Sequence, residues 1–185
     1  MIHIRHIVER DFQINCDLKT NMEAMRMTNV TSLCYQKSPN KNEGEEQQMD
    51  TVERFIKAQE ESYGCALQEI KNGHKRSHWM WYVFPQLKGL GRSETARYYG
   101  IENRQEAKAY MAHPVLGSRL LEISGELLKL ESSDANVVFG RPDDLKLKSS
   151  MTLFYLVDGN PTFKAVLDKY FGGEIDEVTA DQLDK

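Results

Sequence analysis

Between about residue 50 and residue 173, this sequence consists of short segments with apolar residues at helical spacing, each bounded by a capping residue, a proline or a glycine. Asp50 suits an N-cap position, and Glu53 three residues later can complete a capping box. Gly73 is predicted to end this first helix. Its apolar face is formed by Val52, Phe55, Ile56, Tyr63, Ala66, Leu67 and Ile70.

Similar helix-start and helix-end residues recur along the chain. Trp79–Phe84 is apolar on every side, which indicates a buried segment and fits either a short helix or a buried strand. No hairpin dipeptide separates two alternating runs. We therefore predict an all-α fold, a single compact domain of seven or eight helices, with a further turn or two between Asp176 and Leu183. The later helices are predicted to begin at Ser77, Ser93, Asn103, Pro114, Asp134, Pro142 and Asn160.

Residues 1–48 differ from the segments that follow them. Lys37–Gln48 is polar and contains no large apolar residue, which is the composition of a linker or a disordered stretch. Ile2–Tyr35 has scattered apolar residues with weak periodicity. We therefore expect residues 1–48 to be a poorly structured N-terminal extension, flexible or appended, and residues 49–185 to form the helical domain.

Composition limits the class of protein. The chain of 185 residues is 40% hydrophobic and 28% charged, which suits a soluble globular domain. No apolar run approaches the roughly 20 residues that a membrane helix needs, so we predict no membrane partner. Cys16, Cys34 and Cys65 are an odd set without a CxxC pair, which disfavours a disulfide framework or a structural zinc site. These features favour a cytoplasmic protein.

The charge is unevenly distributed. The net charge of −4 argues against a general nucleic-acid binder. From Lys71 to Arg97, however, six lysine and arginine residues accompany the single acid Glu94. A basic island on an acidic chain is consistent with a local anion site, and equally with a solvated helix face.

The densest stretch within this island is Lys75–Gln86, which contains both tryptophans of the chain. At a predicted helix start, the free backbone N–H groups, the Ser77 hydroxyl, the Arg76 guanidinium and the His78 ring can converge on an anion such as phosphate. Alternatively, Ser77 caps its own helix and Arg76 pairs with a carboxylate.

We predict a small-molecule site for an anionic and planar ligand such as a nucleotide. His78 is the candidate for proton transfer if chemistry occurs. Trp79 or Trp81 would stack on the planar group. The sequence does not identify a cofactor or an oligomeric state. The ligand-binding residues of this prediction are Arg76, Ser77, Trp79, Trp81, Arg92 and Lys146.

Two further interpretations accompany this prediction. In the alternative function, the chain is a non-catalytic interaction module whose aromatic residues form core while its basic face binds an acidic partner. Asp143 or Asp144 is expected to pair with Arg76 or Arg92 across the core. His74 and His78 have the spacing of helical zinc ligands, but Gly73 is predicted to break the helix there, and no metal site is predicted.

The stretch Lys75–Gly91 resembles the signature of the domain-of-unknown-function family 1810. Together the matching pieces span about Asp50 to Gly173. The resemblance implies a compact all-helical domain, and it implies no activity, because none is established for the family. The other matching pieces occur in the same order as in the family, on both sides of this stretch. They are Arg54-Phe55, Ala58-Gln59, His113–Leu120, Phe139-Gly140, Pro142–Phe154 and Leu167–Gly173.

Overall fold

The computed structural model describes residues 43–185, with side chains from Thr51 onward. This part of the chain forms nine helices, and its β structure is limited to one isolated bridge between Leu87 and Ile101. The all-α prediction is confirmed. The helices are α1 (Glu43–Lys71), α2 (Met80–Val83), α3 (Glu94–Tyr98), α4 (Arg104–Ala112), α5 (Leu116–Lys129), α6 (Ala135–Phe139), α7 (Asp143–Asp158), α8 (Pro161–Phe171) and α9 (Glu177–Leu183).

The prediction that the first helix begins at Asp50 is wrong. Helix α1 already runs from Glu43, through the polar residues that we interpreted as a linker. Glutamate and glutamine are good helix formers, and acidic residues stabilise the first turns of a helix, so low hydrophobicity alone did not end it. Residues 1–42 lie outside the described part of the chain, and the expected domain boundary near residue 49 stays a prediction.

Most of the later helices are capped by the residues that we predicted from the sequence. Ser93 accepts a hydrogen bond from the Ala96 N–H, and Asn103 accepts one from the Glu106 N–H. Gly159 and Gly172 end α7 and α8 in the left-handed conformation, which costs glycine little. These local signals determine the residues at which the short helices begin and end, and therefore the lengths of the loops between them.

Helix α7 lies in the centre of the packed helices and contacts α4, α6, α8 and α9, whereas α1 contacts α2, α4 and α5. The side chains of Leu147, Met151, Leu153 and Phe154 on α7 are fully buried. The segment between α1 and α2 runs beside α6, because the Lys75 N–H donates to the Val138 carbonyl at 2.7 Å. This arrangement places Trp79 against α1 and α6, and Trp81 beside Lys146 in the first turn of α7.

The structure bears on two expectations from composition, one about membrane helices and one about the cysteines. Among the described residues, no helix has the length and apolar character needed to cross a bilayer. Cys16 and Cys34 lie outside the described residues, and Cys65 is disulfide-bonded, contrary to our expectation from the cysteine pattern. Cysteine spacing does not show which sulfur atoms approach one another in the fold. The cysteine pattern therefore no longer supports a cytoplasmic location, which stays a prediction.

Candidate functional site

The carboxylate of Glu69 occupies the position at which we expected a bound anion. Its oxygens accept hydrogen bonds from the Arg76 N–H at 2.8 Å and from the Ser77 N–H at 3.1 Å. The Ser77 hydroxyl donates to it at 2.6 Å, and the Trp79 Nε1–H donates at 2.7 Å. Ser77 therefore does not cap α2, and the donors that we assigned to a ligand bind an anion of the protein itself.

These hydrogen bonds also determine the charge state of Glu69. Partial burial of the carboxylate acts to raise its pKa, but the hydrogen bonds from Arg76, Ser77 and Trp79 outweigh burial and hold the pKa of Glu69 below its ordinary value. Glu69 is therefore ionised at neutral pH, and it joins the end of α1 to the buried tryptophan.

Glu69→Gln is expected to lower the free energy of unfolding by about 2 kcal/mol at pH 7, because hydrogen bonds to a charged acceptor are replaced by weaker ones. A lowered folded-state pKa adds stability above the unfolded pKa, and that stability is lost as pH falls through the folded pKa. The variant should therefore lose less stability than wild type below about pH 4.5. Urea denaturation followed by circular dichroism from pH 7 to pH 3 measures both effects.

Glu60→Gln is the matched control, because Glu60 is an exposed acid on the same helix. We expect it to change stability by less than about 0.5 kcal/mol. Identical acid-denaturation profiles for wild type and Glu69→Gln would contradict the role of Glu69.

A second polar cluster joins the α1–α2 loop to α7. Asp143 Oδ2 lies 2.7 Å from Lys75 Nζ, and Asp143 Oδ1 lies 2.6 Å from Lys146 Nζ. Burial acts to raise the pKa of Asp143, but the two ammonium groups outweigh it and hold the pKa below its ordinary value. The expected pairing of Asp143 with an arginine is wrong, because the fold brings these lysines to it. Asp144 lies 3.6 Å from Arg141 instead.

The Lys75–Asp143–Lys146 triad carries a net charge of +1 next to aromatic rings. The side chains of Lys75, Asp143 and Lys146 are 8%, 16% and 18% exposed. Lys75 Nζ lies 5.2 Å from the ring centroid of Trp79, and Lys146 Nζ lies 4.6 Å from that of Trp81. Within residues 51–185, Asp143 is the carboxylate that pairs with these lysines. Lys75 Nζ also donates to the Ser77 carbonyl at 2.8 Å, whereas Lys146 shares Asp143 and has no carboxylate of its own among the described residues.

A narrow cavity lies beside this charge, with room for about one water molecule. The loop that follows Leu87 closes it, and a Cβ at Gly91 would overlap the Cβ of Ala96 on α3. A ligand larger than water would therefore contact the rim of the cavity or displace this loop. The lining residues, which we call the Trp81–Lys146 pocket, are Trp81, Phe84, Gln86, Leu87, Gly91, Ala96, Tyr99, Gly100 and Lys146.

The structure brings together some of the predicted site residues and not others. Trp81 and Lys146 share the pocket, whereas Ser77 and Trp79 meet at Glu69. The side chains of Arg76, His78 and Arg92 are exposed, and Arg92 follows the lining residue Gly91 in sequence without lining the pocket itself. Sequence reasoning missed five residues here. Four of them, Glu69, Lys75, Gln86 and Tyr99, were not assigned to the site, and the fifth, Asp143, was assigned to the wrong partner.

Comparison with known proteins identifies the family of this chain. The model of the family described as "Protein of unknown function (DUF1810)" matches residues 49–183. The chain belongs to this family. The DUF1810 match confirms the resemblance that the Lys75–Gly91 signature indicated.

A solved structure supports the same DUF1810 fold. The chain is similar to the crystal structure of the conserved hypothetical protein Rv1873 from Mycobacterium tuberculosis, with 47% sequence identity and a TM-score of 0.71. The similarity covers 72% of this chain and 96% of that chain. A search of curated proteins finds no match to this chain. Neither the family description nor the neighbour's name states an activity, so we infer the function of this DUF1810 domain from the geometry of its site.

Proposed function

We propose that this domain binds a small anionic ligand with a planar group at the Trp81–Lys146 pocket. The observation that carries the proposal is the largely buried Lys75–Asp143–Lys146 triad with its net charge of +1. An uncompensated charge removed from water destabilises a fold unless an anion or further hydrogen bonds accompany it. A bound anion would supply that compensation.

The groups around the pocket have suitable chemistry for such a ligand. Lys146 Nζ can donate to an anionic oxygen while it remains beside the face of Trp81. The half-buried Trp81 can contact a planar group, and Gln86 offers an amide that can both donate and accept hydrogen bonds. Arg92 follows Gly91 in sequence and is the second cation of the proposal. A nucleotide combines the two features, and proton transfer by the exposed His78 stays a prediction.

The alternative function is a non-catalytic interaction module with a basic aromatic face. Full burial of Trp79 fits that alternative, because a core ring cannot contact a ligand. Partial exposure of Trp81 beside Lys146 favours the small-molecule site. The two tryptophans thus have different roles, and Trp81 carries the proposal.

A thermal-shift screen with inorganic phosphate, adenosine monophosphate, glucose 6-phosphate and tripolyphosphate tests this function. We expect one of these anions to stabilise the protein by about 2.7 kcal/mol at 100 times its dissociation constant. Lys146→Met should abolish the shift. The variant should still fold, because Asp143 keeps its partner Lys75.

Lys148→Met is the matched control. Lys148 lies on the same helix, pairs with Glu174 at 3.2 Å and stands over the ring of Phe171, so it repeats the type of contact away from the pocket. It should keep the ligand-induced shift. Equal shifts in wild type and Lys146→Met, or no shift with any of the four anions, would contradict the small-molecule site and favour the interaction module.

A further inference from the structure

A second and much larger opening lies beside α1 and α3. Its volume of about 590 Å³ falls within the range of roughly 300–1,000 Å³ that small-molecule sites occupy. Helix α3 contributes Arg97 and Tyr98 to it, whereas Ala96 of the same helix lines the Trp81–Lys146 pocket. The two openings share no described lining residue. We call the larger one the Arg97–Tyr98 groove.

The groove has a surplus of positive charge. Its lining includes four cations, and three of them have a carboxylate partner within the groove. Lys57 lies 3.5 Å from Glu53, Arg54 Nη1 lies 2.7 Å from Glu106 Oε1, and Lys88 pairs with Glu102. Arg97, the fourth cation, makes no ion pair with any of the described residues. The described residues of the lining therefore carry a net charge of +1, located at Arg97.

Arg54 gives the groove a fixed wall. Its Nη1 binds the largely buried Glu106, its Nη2 donates to the Gly100 carbonyl at 3.0 Å, and its guanidinium lies 4.3 Å from the ring centroid of Phe55. The Nε atom of Arg54 is buried and has no hydrogen-bond partner among the described residues. A guanidinium held from several sides keeps its position when a ligand arrives, which lowers the entropy lost on binding.

Tyr98 supplies a flat aromatic surface. Its side chain is 61% exposed, although its ring meets the ring of Tyr99 edge to face at 4.8 Å. That contact orients the ring, and most of the side chain stays open to solvent. A fixed guanidinium, a cation without a carboxylate partner and an exposed aromatic ring together form a surface that suits a planar ligand bearing one anionic group.

We propose that the Arg97–Tyr98 groove binds a mononucleotide, with the phosphate at Arg97 and the base against Tyr98. The groove is large enough to hold a whole mononucleotide, whereas the Trp81–Lys146 pocket could hold one only at its rim. A phosphate dianion matches the guanidinium geometry of Arg97, and Lys57 and Lys88 lie in the same lining. The proposal goes beyond the pocket and depends on different residues.

Isothermal titration of the full chain with adenosine 5′-monophosphate tests the groove. Arg97→Gln and Tyr98→Ala should each weaken binding at least tenfold, and both variants should fold because both side chains are exposed. Lys108→Gln is the control, since it removes an exposed cation that is not part of the groove lining, and it should bind like wild type. Adenosine and inorganic phosphate should each bind more weakly than the nucleotide, because adenosine lacks the phosphate and inorganic phosphate lacks the base.

Lys146→Met separates this proposal from the function proposed for the pocket. Full affinity in Lys146→Met together with loss in the groove variants supports the groove, and it contradicts nucleotide binding at the pocket. Loss in Lys146→Met with wild-type affinity in both groove variants overturns the groove proposal and leaves the pocket in place. The absence of nucleotide binding by the wild-type chain overturns it as well.

Discussion

Substitution of Trp79 by alanine is expected to lower the free energy of unfolding by about 3–5 kcal/mol. The side chain is 1% exposed and packs against Phe84 and Phe139, so its removal leaves a cavity. It also takes one donor from the ionised Glu69. Urea denaturation at pH 7, followed by far-ultraviolet circular dichroism, measures the change in midpoint.

Trp81→Ala provides the comparison within the same short helix segment. Trp81 is half-buried, so less apolar surface returns to water, and we expect a loss of no more than about 2 kcal/mol. The same variant should weaken any ligand bound at the pocket. If both tryptophan variants lost equal stability, the assignment of Trp79 to the core and Trp81 to the pocket would be wrong.

Gly117→Ala is expected to destabilise the domain by about 3 kcal/mol. A Cβ at this position would overlap the carbonyl oxygen of Met111 and lie 3.0 Å from its carbonyl carbon. Both atoms belong to the backbone at the end of α4, so no change of rotamer relieves the contact. The connection from α4 to α5 would have to move, and thermal denaturation should show a lower melting temperature.

Gly125→Ala on the same helix is expected to have the opposite effect. A Cβ at Gly125 has no atom within 4 Å, and the position lies in the interior of α5. Alanine there should stabilise the domain by about 0.5–1 kcal/mol through its greater helix propensity. Destabilisation of similar size at both glycines would contradict the close approach of α4 to Gly117.

The fold was largely predictable because its signals are local. The caps at Ser93 and Asn103 involve residues three positions away, and the glycines after α7 and α8 end those helices through their own backbone conformation. Ser77 has the same residue type but a different role, since its partner Glu69 comes from the preceding helix. Spacing within one segment cannot show that a competing carboxylate lies nearby.

The site was less predictable for a related reason. Residue types identified Trp81 and Lys146, which lie far apart in sequence and meet in the pocket. Their neighbours depend on how α7 is placed against the α1–α2 loop. Asp143 therefore binds Lys75 and Lys146, although we expected an arginine partner from the sequence. The Arg97–Tyr98 groove was missed because its residues come from separate segments without a shared motif.

The shared acceptor Glu69 also determines how the chain opens. The Arg76 and Ser77 amides belong to a loop, yet both donate to a carboxylate that simultaneously binds the indole of a buried ring. Exposing either amide to solvent therefore requires the neighbouring hydrogen bonds to break with it. Local fluctuations usually expose loop amides at little cost, whereas amides held in this way exchange through larger cooperative openings. We therefore expect the Arg76 and Ser77 amides to exchange as slowly as amides of the protein interior, although they lie in a loop.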